Sequence, residues 1–189
     1  MKMQLMQSYN KGAIRMNKTK RIALCGMLTA LALALSLAER MIPIELLIPI
    51  PGVKLGLANV VTMFALLFLT PGEAYSILFC RVVLAALFAG SVTQLLFSLF
   101  GGVLALTTVW LLLHKQGKWF SFYGISAASA AMHNFGQVLA AMLVMQTMDI
   151  IAYLPLLLVS SIPMGFLTGA ILDVLQKHMR QLRLVERKW

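Results

Sequence analysis

The chain has 189 residues, a net charge of +10, 60% hydrophobic residues and 12% charged ones. A soluble domain carries roughly a quarter charged residues, so this chain has too little polar surface for a globule in water, and lipid is its expected solvent. Unbroken apolar runs such as Ala65-Leu66-Leu67-Phe68-Leu69 exclude the alternating pattern of a membrane barrel and leave helices, the other architecture that satisfies its backbone in lipid.

Residues 1–20 read as a basic cytoplasmic arm with Lys2, Lys11, Arg15, Lys18 and Lys20. The first span is expected over 21–38, stopping at Glu39-Arg40. Basic residues precede it and Ser36-Leu37-Ala38 has the small-residue pattern of a cleavage site. No exported soluble domain follows, so the segment is expected to be retained as a span. The connection after it holds Pro43, Glu45, Pro49, Pro51, Gly52 and Lys54. Apolar but broken by prolines, it reads as a re-entrant or lid segment. The second span, about 57–69, rises only about 20 Å, less than the roughly 30 Å hydrocarbon core.

Pro71-Gly72 is expected to turn the chain into a third span over 73–89, and Gly90-Ser91 into a fourth over 92–113, with Gly101-Gly102 as a weak point. A basic loop at 114–118 leads to a fifth span over 120–145. Thr147-Met148-Asp149 closes a short loop before a sixth over 151–175, which Pro155 and Pro163 are expected to bend. The sequence thus divides into an arm (1–20), a transmembrane domain (21–176) and a basic tail (177–189).

The basic residues form no single soluble face, which argues against a nucleic-acid partner. With six spans, the side holding both termini and the 114–118 loop collects thirteen of the sixteen lysines and arginines. The opposite side has Arg40 and Lys54, and Arg81 lies within a span. Positive-inside retention then places both termini in the cytoplasm of a bacterial cell, with the proline-rich loop outside and the tails against anionic lipid headgroups. Cys25 and Cys80 lack ligand spacing and read as small buried hydrophobes.

A charge within a span usually faces a cavity or a partner. For Arg81 the readings are a counter-charge for an anionic ligand, or a structural role, as a pair or by snorkelling toward the cytoplasmic headgroups. The fifth span carries His133, Asn134 and Gln137. Ser129, His133 and Gln137 lie four residues apart and share a face, among alanines that permit close helix approach. This stripe either lines a ligand cavity or bonds a neighbouring helix. Ser161, Gly165 and Gly169 repeat the spacing in the sixth span and read as a packing face, with Asp173 below it near the basic tail. Ala30, Ala34 and Ala38 form a similar ridge on the first span.

There is no G-x-x-x-x-G-K-[ST], H-E-x-x-H or G-x-S-x-G, and Asp149 and Asp173 are the sole aspartates. No phosphate cradle or paired-aspartate magnesium site is legible, no cofactor is called for, and transport would need an outside energy source.

Pro51-Gly52-Val53-Lys54-Leu55-Gly56-Leu57-Ala58-Asn59, the stretch from Arg81 through Gly90-Ser91, and Ala131-Met132-His133-Asn134-Phe135-Gly136-Gln137 carry a resemblance. Over about residues 20–176 the chain resembles the Gx transporter family, also labelled heptaprenyl diphosphate synthase component I. That family is similar to the substrate-binding S components of energy-coupling factor (ECF) transporters. The resemblance implies an all-α, six-transmembrane-helix bundle with substrate bound near the outer side, under the first connection. It implies docking on a membrane-embedded coupling subunit partly through Ala30 and Ala34, and two cytoplasmic ATPases as energy source. It points to Lys54, Asn59, Arg81, His133, Asn134 and Gln137 as substrate-binding positions. The expected ligand is isoprenoid-related or another small anion, and the alternative is a non-catalytic membrane component of the synthase.

Overall fold

A computed structural model describes residues 17–41, 56–115 and 121–181. The arm to residue 16, the proline-rich connection with Lys54, the loop 116–120 and the end of the tail lie outside the described residues, and with them the expected lid.

Among the described residues, long apolar runs give six α-helices: α1 (Lys18–Met41), α2 (Leu57–Phe68), α3 (Pro71–Ala89), α4 (Val92–Lys115), α5 (Phe122–Met145) and α6 (Leu154–Gln181), the last entered through a 3-10 turn at Asp149–Tyr153. Among the described residues no strand occurs. All but α2 are long and apolar enough to cross a membrane. Phe79, Leu87, Phe88, Leu143 and Phe166 are exposed on the outside of the bundle, as lipid requires. The chain is a multi-pass membrane protein.

Several boundaries differ from expectation for identifiable reasons. α1 does not stop at Glu39 but runs to Met41, because Glu39 is buried rather than solvated. Pro71 opens α3 instead of forming a turn. It needs no N–H donor there. Thr70 caps that helix: its hydroxyl accepts from the Glu73 N–H, and the Glu73 carboxylate accepts from the Thr70 N–H at 2.8 Å. Pro155 falls in the first turn of α6, where proline is tolerated, and Pro163 lies inside the helix. α6 continues to Gln181, into the segment read as tail, where Lys177 meets Asp173 at 2.7 Å.

Gly101-Gly102 is not a weak point: α4 passes through it unbroken, and the glycines let helices touch. A Cβ on Gly101 would lie 2.8 Å from the His133 ring, and one on Gly136 would lie 2.7 Å from the Phe100 carbonyl oxygen. On the other side of α5, a Cβ on Gly165 would meet the Ala127 backbone nitrogen at 2.7 Å. The α4–α5 and α5–α6 pairs are accordingly the most extensive in the bundle.

The main core joins α1–α4 to one side of α5 and α6, around Leu66, Ile77, Leu78, Leu106, Ile125 and Leu172. α2 packs against α1, α3, α4 and α6. Too short to span, it is shielded by protein instead, which is where lipid permits a helix to end at depth. Arg21 and Glu73 pair at 2.8 Å between the starts of α1 and α3. The opposite end of the bundle holds the α1 C-terminus, the start of α2 and Gly90-Ser91.

Candidate functional site

The site begins with the N–H groups at the start of α2. A helix leaves its first N–H groups without internal partners. Gly56, at φ +78°, supplies no side-chain cap. The Leu57 N–H instead donates to the Glu39 carboxylate of α1, an acid placed where the helix dipole favours it. Glu39 in turn acts electrostatically on Arg81 of α3.

Arg81 is 6% exposed. It donates from Nη2 to Asn59 Oδ1 at 2.8 Å and from Nη1 to Ser36 Oγ at 3.3 Å. Its Nε has no hydrogen-bond partner among the described residues. Three helices thus meet at one guanidinium, whose two Nη groups are both engaged within the chain. Around it lies a cavity of about 30 Å³, also lined by Gln94, Ser98 and His133, large enough for a water molecule.

A second cavity of about 320 Å³ opens between α2, α5 and α6. Gly56, Asn59 and His133 border both cavities, so the two share a wall. The larger one is lined mainly by apolar groups such as Met63, Leu156 and Met164, with hydroxyls from Ser126, Ser129, Ser161 and Thr168. Asn134 Nδ2 donates to the Leu157 carbonyl at 2.7 Å, tying α5 to α6. Ser129 Oγ donates to the Ala105 carbonyl at 3.3 Å, tying α5 to α4. Ser126 is buried with its Oγ unpartnered among the described residues.

The structure therefore brings Asn59, Arg81 and His133 together and places Asn134 beside them on the larger chamber. Gln137 is buried but borders neither cavity, and its Nε2 has no partner among the described residues. Lys54 lies outside the described residues. Ala30 and Ala34 are exposed on the outer face of α1.

Sequence reading missed Ser36, Glu39, Ser126 and Thr168 as site residues. A signal for two of them existed. Ser126, Ser129 and His133, and likewise Ser161, Met164 and Thr168, follow the i, i+3, i+7 pattern of one helix face. The two stripes face each other across the chamber.

Arranged in this way, the residues suit binding: a largely apolar hollow with a few fixed polar groups, at the lower end of the roughly 300–1,000 Å³ usual for small-molecule sites. No curated protein and no solved structure matches the chain. A family profile described as heptaprenyl diphosphate synthase component I matches residues 28–175. The chain belongs to the heptaprenyl diphosphate synthase component I family.

Proposed function

We propose that this chain is the substrate-binding subunit, of the S-component type, of an energy-coupled uptake transporter in a bacterial inner membrane, with both termini cytoplasmic. The observation that carries the reading is the 320 Å³ chamber between α2, α5 and α6. It borders Gly56 and Asn59 at the start of α2, beside the end of the bundle from which the proline-rich connection leaves. A substrate would enter there from outside. Asn59, His133 and Asn134 are its proposed contacts. Arg81 acts on it through Asn59, Lys54 is a proposed contact from the connection, and Gln137 supports the helix behind.

Transport needs energy from elsewhere. The exposed Ala30–Ala34 ridge has the small side chains that close docking of a membrane-embedded coupling subunit requires, and that subunit would carry two cytoplasmic ATPases. Purification of the tagged chain from its own membranes should bring down those three subunits in fixed ratio. Ala30→Leu/Ala34→Leu should release them while leaving the chain folded. A coupling complex that survives this double substitution would contradict docking through the ridge.

The family description favours a second reading, a non-catalytic membrane component of a prenyl diphosphate synthase. Asp149 and Asp173 are the sole aspartates, so magnesium-diphosphate chemistry would belong to a soluble aspartate-rich partner. Under this reading the partner loses activity or membrane attachment when this chain is deleted, and uptake of small molecules is unchanged.

A further inference from the structure

None of the described residues that line the α2/α5/α6 chamber is Lys, Arg, Asp or Glu. An ionised head group seated deep among these residues, away from the connection that carries Lys54, would shed its water without meeting a carboxylate, ammonium or guanidinium among them, which is strongly unfavourable in a low-dielectric site. Arg81 sits behind the wall formed by Asn59 and His133. Its charge is opposed by Glu39 and its Nη groups are held by Asn59 and Ser36. The cavity beside it, at about 30 Å³, has room for water but not for a diphosphate.

Two neutral hydrogen-bonding groups are left open on the chamber wall. Ser126 is 1% exposed, borders the chamber, and its Oγ has no partner among the described residues. Pro163, within α6, has no N–H, so the Val159 carbonyl lacks its helical donor one turn on, and both residues border the chamber. A buried hydroxyl and a released carbonyl are partners for an uncharged donor such as an alcohol or amide.

We propose that this chamber takes an uncharged, mainly apolar molecule with a hydroxyl or amide head group. On this view Arg81 positions Asn59 and is not an anion site. The inference rests on the ligand-binding reading above and adds the ligand's chemical class to it.

The test uses the full chain in lipid nanodiscs, with Cys25→Ala and Cys80→Ala, and a single reporter, Ser126→Cys. Ser160→Cys, on the opposite wall, serves as a second reporter should the first fail to fold. Thr62→Cys, buried in the packed core away from both cavities, is the control. Labelling rates are normalised to Ser91→Cys. Uncharged methyl methanethiosulfonate should modify either reporter at least about tenfold faster than its sulfonatoethyl analogue, and leave Thr62→Cys unmodified. Octanol should slow that labelling, and octyl phosphate, with the same tail and an ionised head, should not. Equal rates for the two reagents, protection by octyl phosphate as strong as by octanol, or no labelling of either reporter would overturn the inference. Labelling and protection as expected, without co-purification of a coupling subunit, would keep the ligand class and remove the transport role.

Discussion

At the residue scale the decisive arrangement is a buried arginine, bonded to Asn59 and Ser36, with a buried glutamate beside the same small cavity. Removing one member of a buried pair leaves the other uncompensated, and such losses run to about 3–5 kcal/mol. Arg81→Ala should therefore destabilise the detergent-solubilised chain by about that much, measured by chemical unfolding. Arg81→Gln with Glu39→Gln should recover a substantial part, since no charge then remains buried. Equal destabilisation by the single and double substitutions would show that the two residues do not act on each other. Arg81 and His133 stood out in the sequence, because a polar or charged group inside an apolar run needs a partner, whereas Asn59 was pointed to by the family resemblance alone. Glu39 was not: at the end of a span an acid reads as a boundary, and its burial depends on α3 bringing Arg81 opposite. Ser126 and Thr168 were hidden for another reason. Serine and threonine commonly bond their own helix backbone, so their presence in a span carries little information until the facing helix is known.

At the element scale, glycine separates packing from conformation. Gly136→Ala drives a Cβ against the Phe100 backbone of α4, and overpacking of this kind costs about 1–3 kcal/mol. Gly26→Ala, on exposed α1 with nothing within 4 Å of the new Cβ, should stabilise by about 0.5–1 kcal/mol through helix propensity alone. Thermal unfolding of the two variants should move in opposite directions; a common direction would contradict the close α4–α5 approach. At Gly56, φ +78° is a left-handed conformation, so Gly56→Ala should cost about 1–2 kcal/mol and loosen the start of α2, read as faster amide exchange at Leu57 and Ala58. Most helices were legible to within a few residues from hydrophobic run length, including the shortness of α2. The ends that moved were set by contacts a linear reading lacks: the Thr70–Glu73 cap that makes Pro71 helical, and the burial that carries α1 past Glu39. The GxxxG face of α6 was read as packing, and Gly165 and Gly169 do lie against Ala127 and Tyr123.

At the scale of the whole molecule, the helices alternate so that the starts of α1, α3 and α5 share one end of the bundle. The proposed orientation puts that end in the cytoplasm. Membrane-impermeant thiol labelling should reach Ser91→Cys from outside the cell and Asn17→Cys only after the membrane is opened; the reverse order would invert the protein, and access to both from outside would break the bundle. The function turns on whether the chamber between α2, α5 and α6 holds a molecule. Native mass spectrometry of the full chain, released from membranes of its own cells, tests this most directly. The account predicts one small uncharged molecule bound per chain, absent when Ala130→Trp fills the chamber. A bare wild-type chain, or the same adduct on the filled variant, would contradict it.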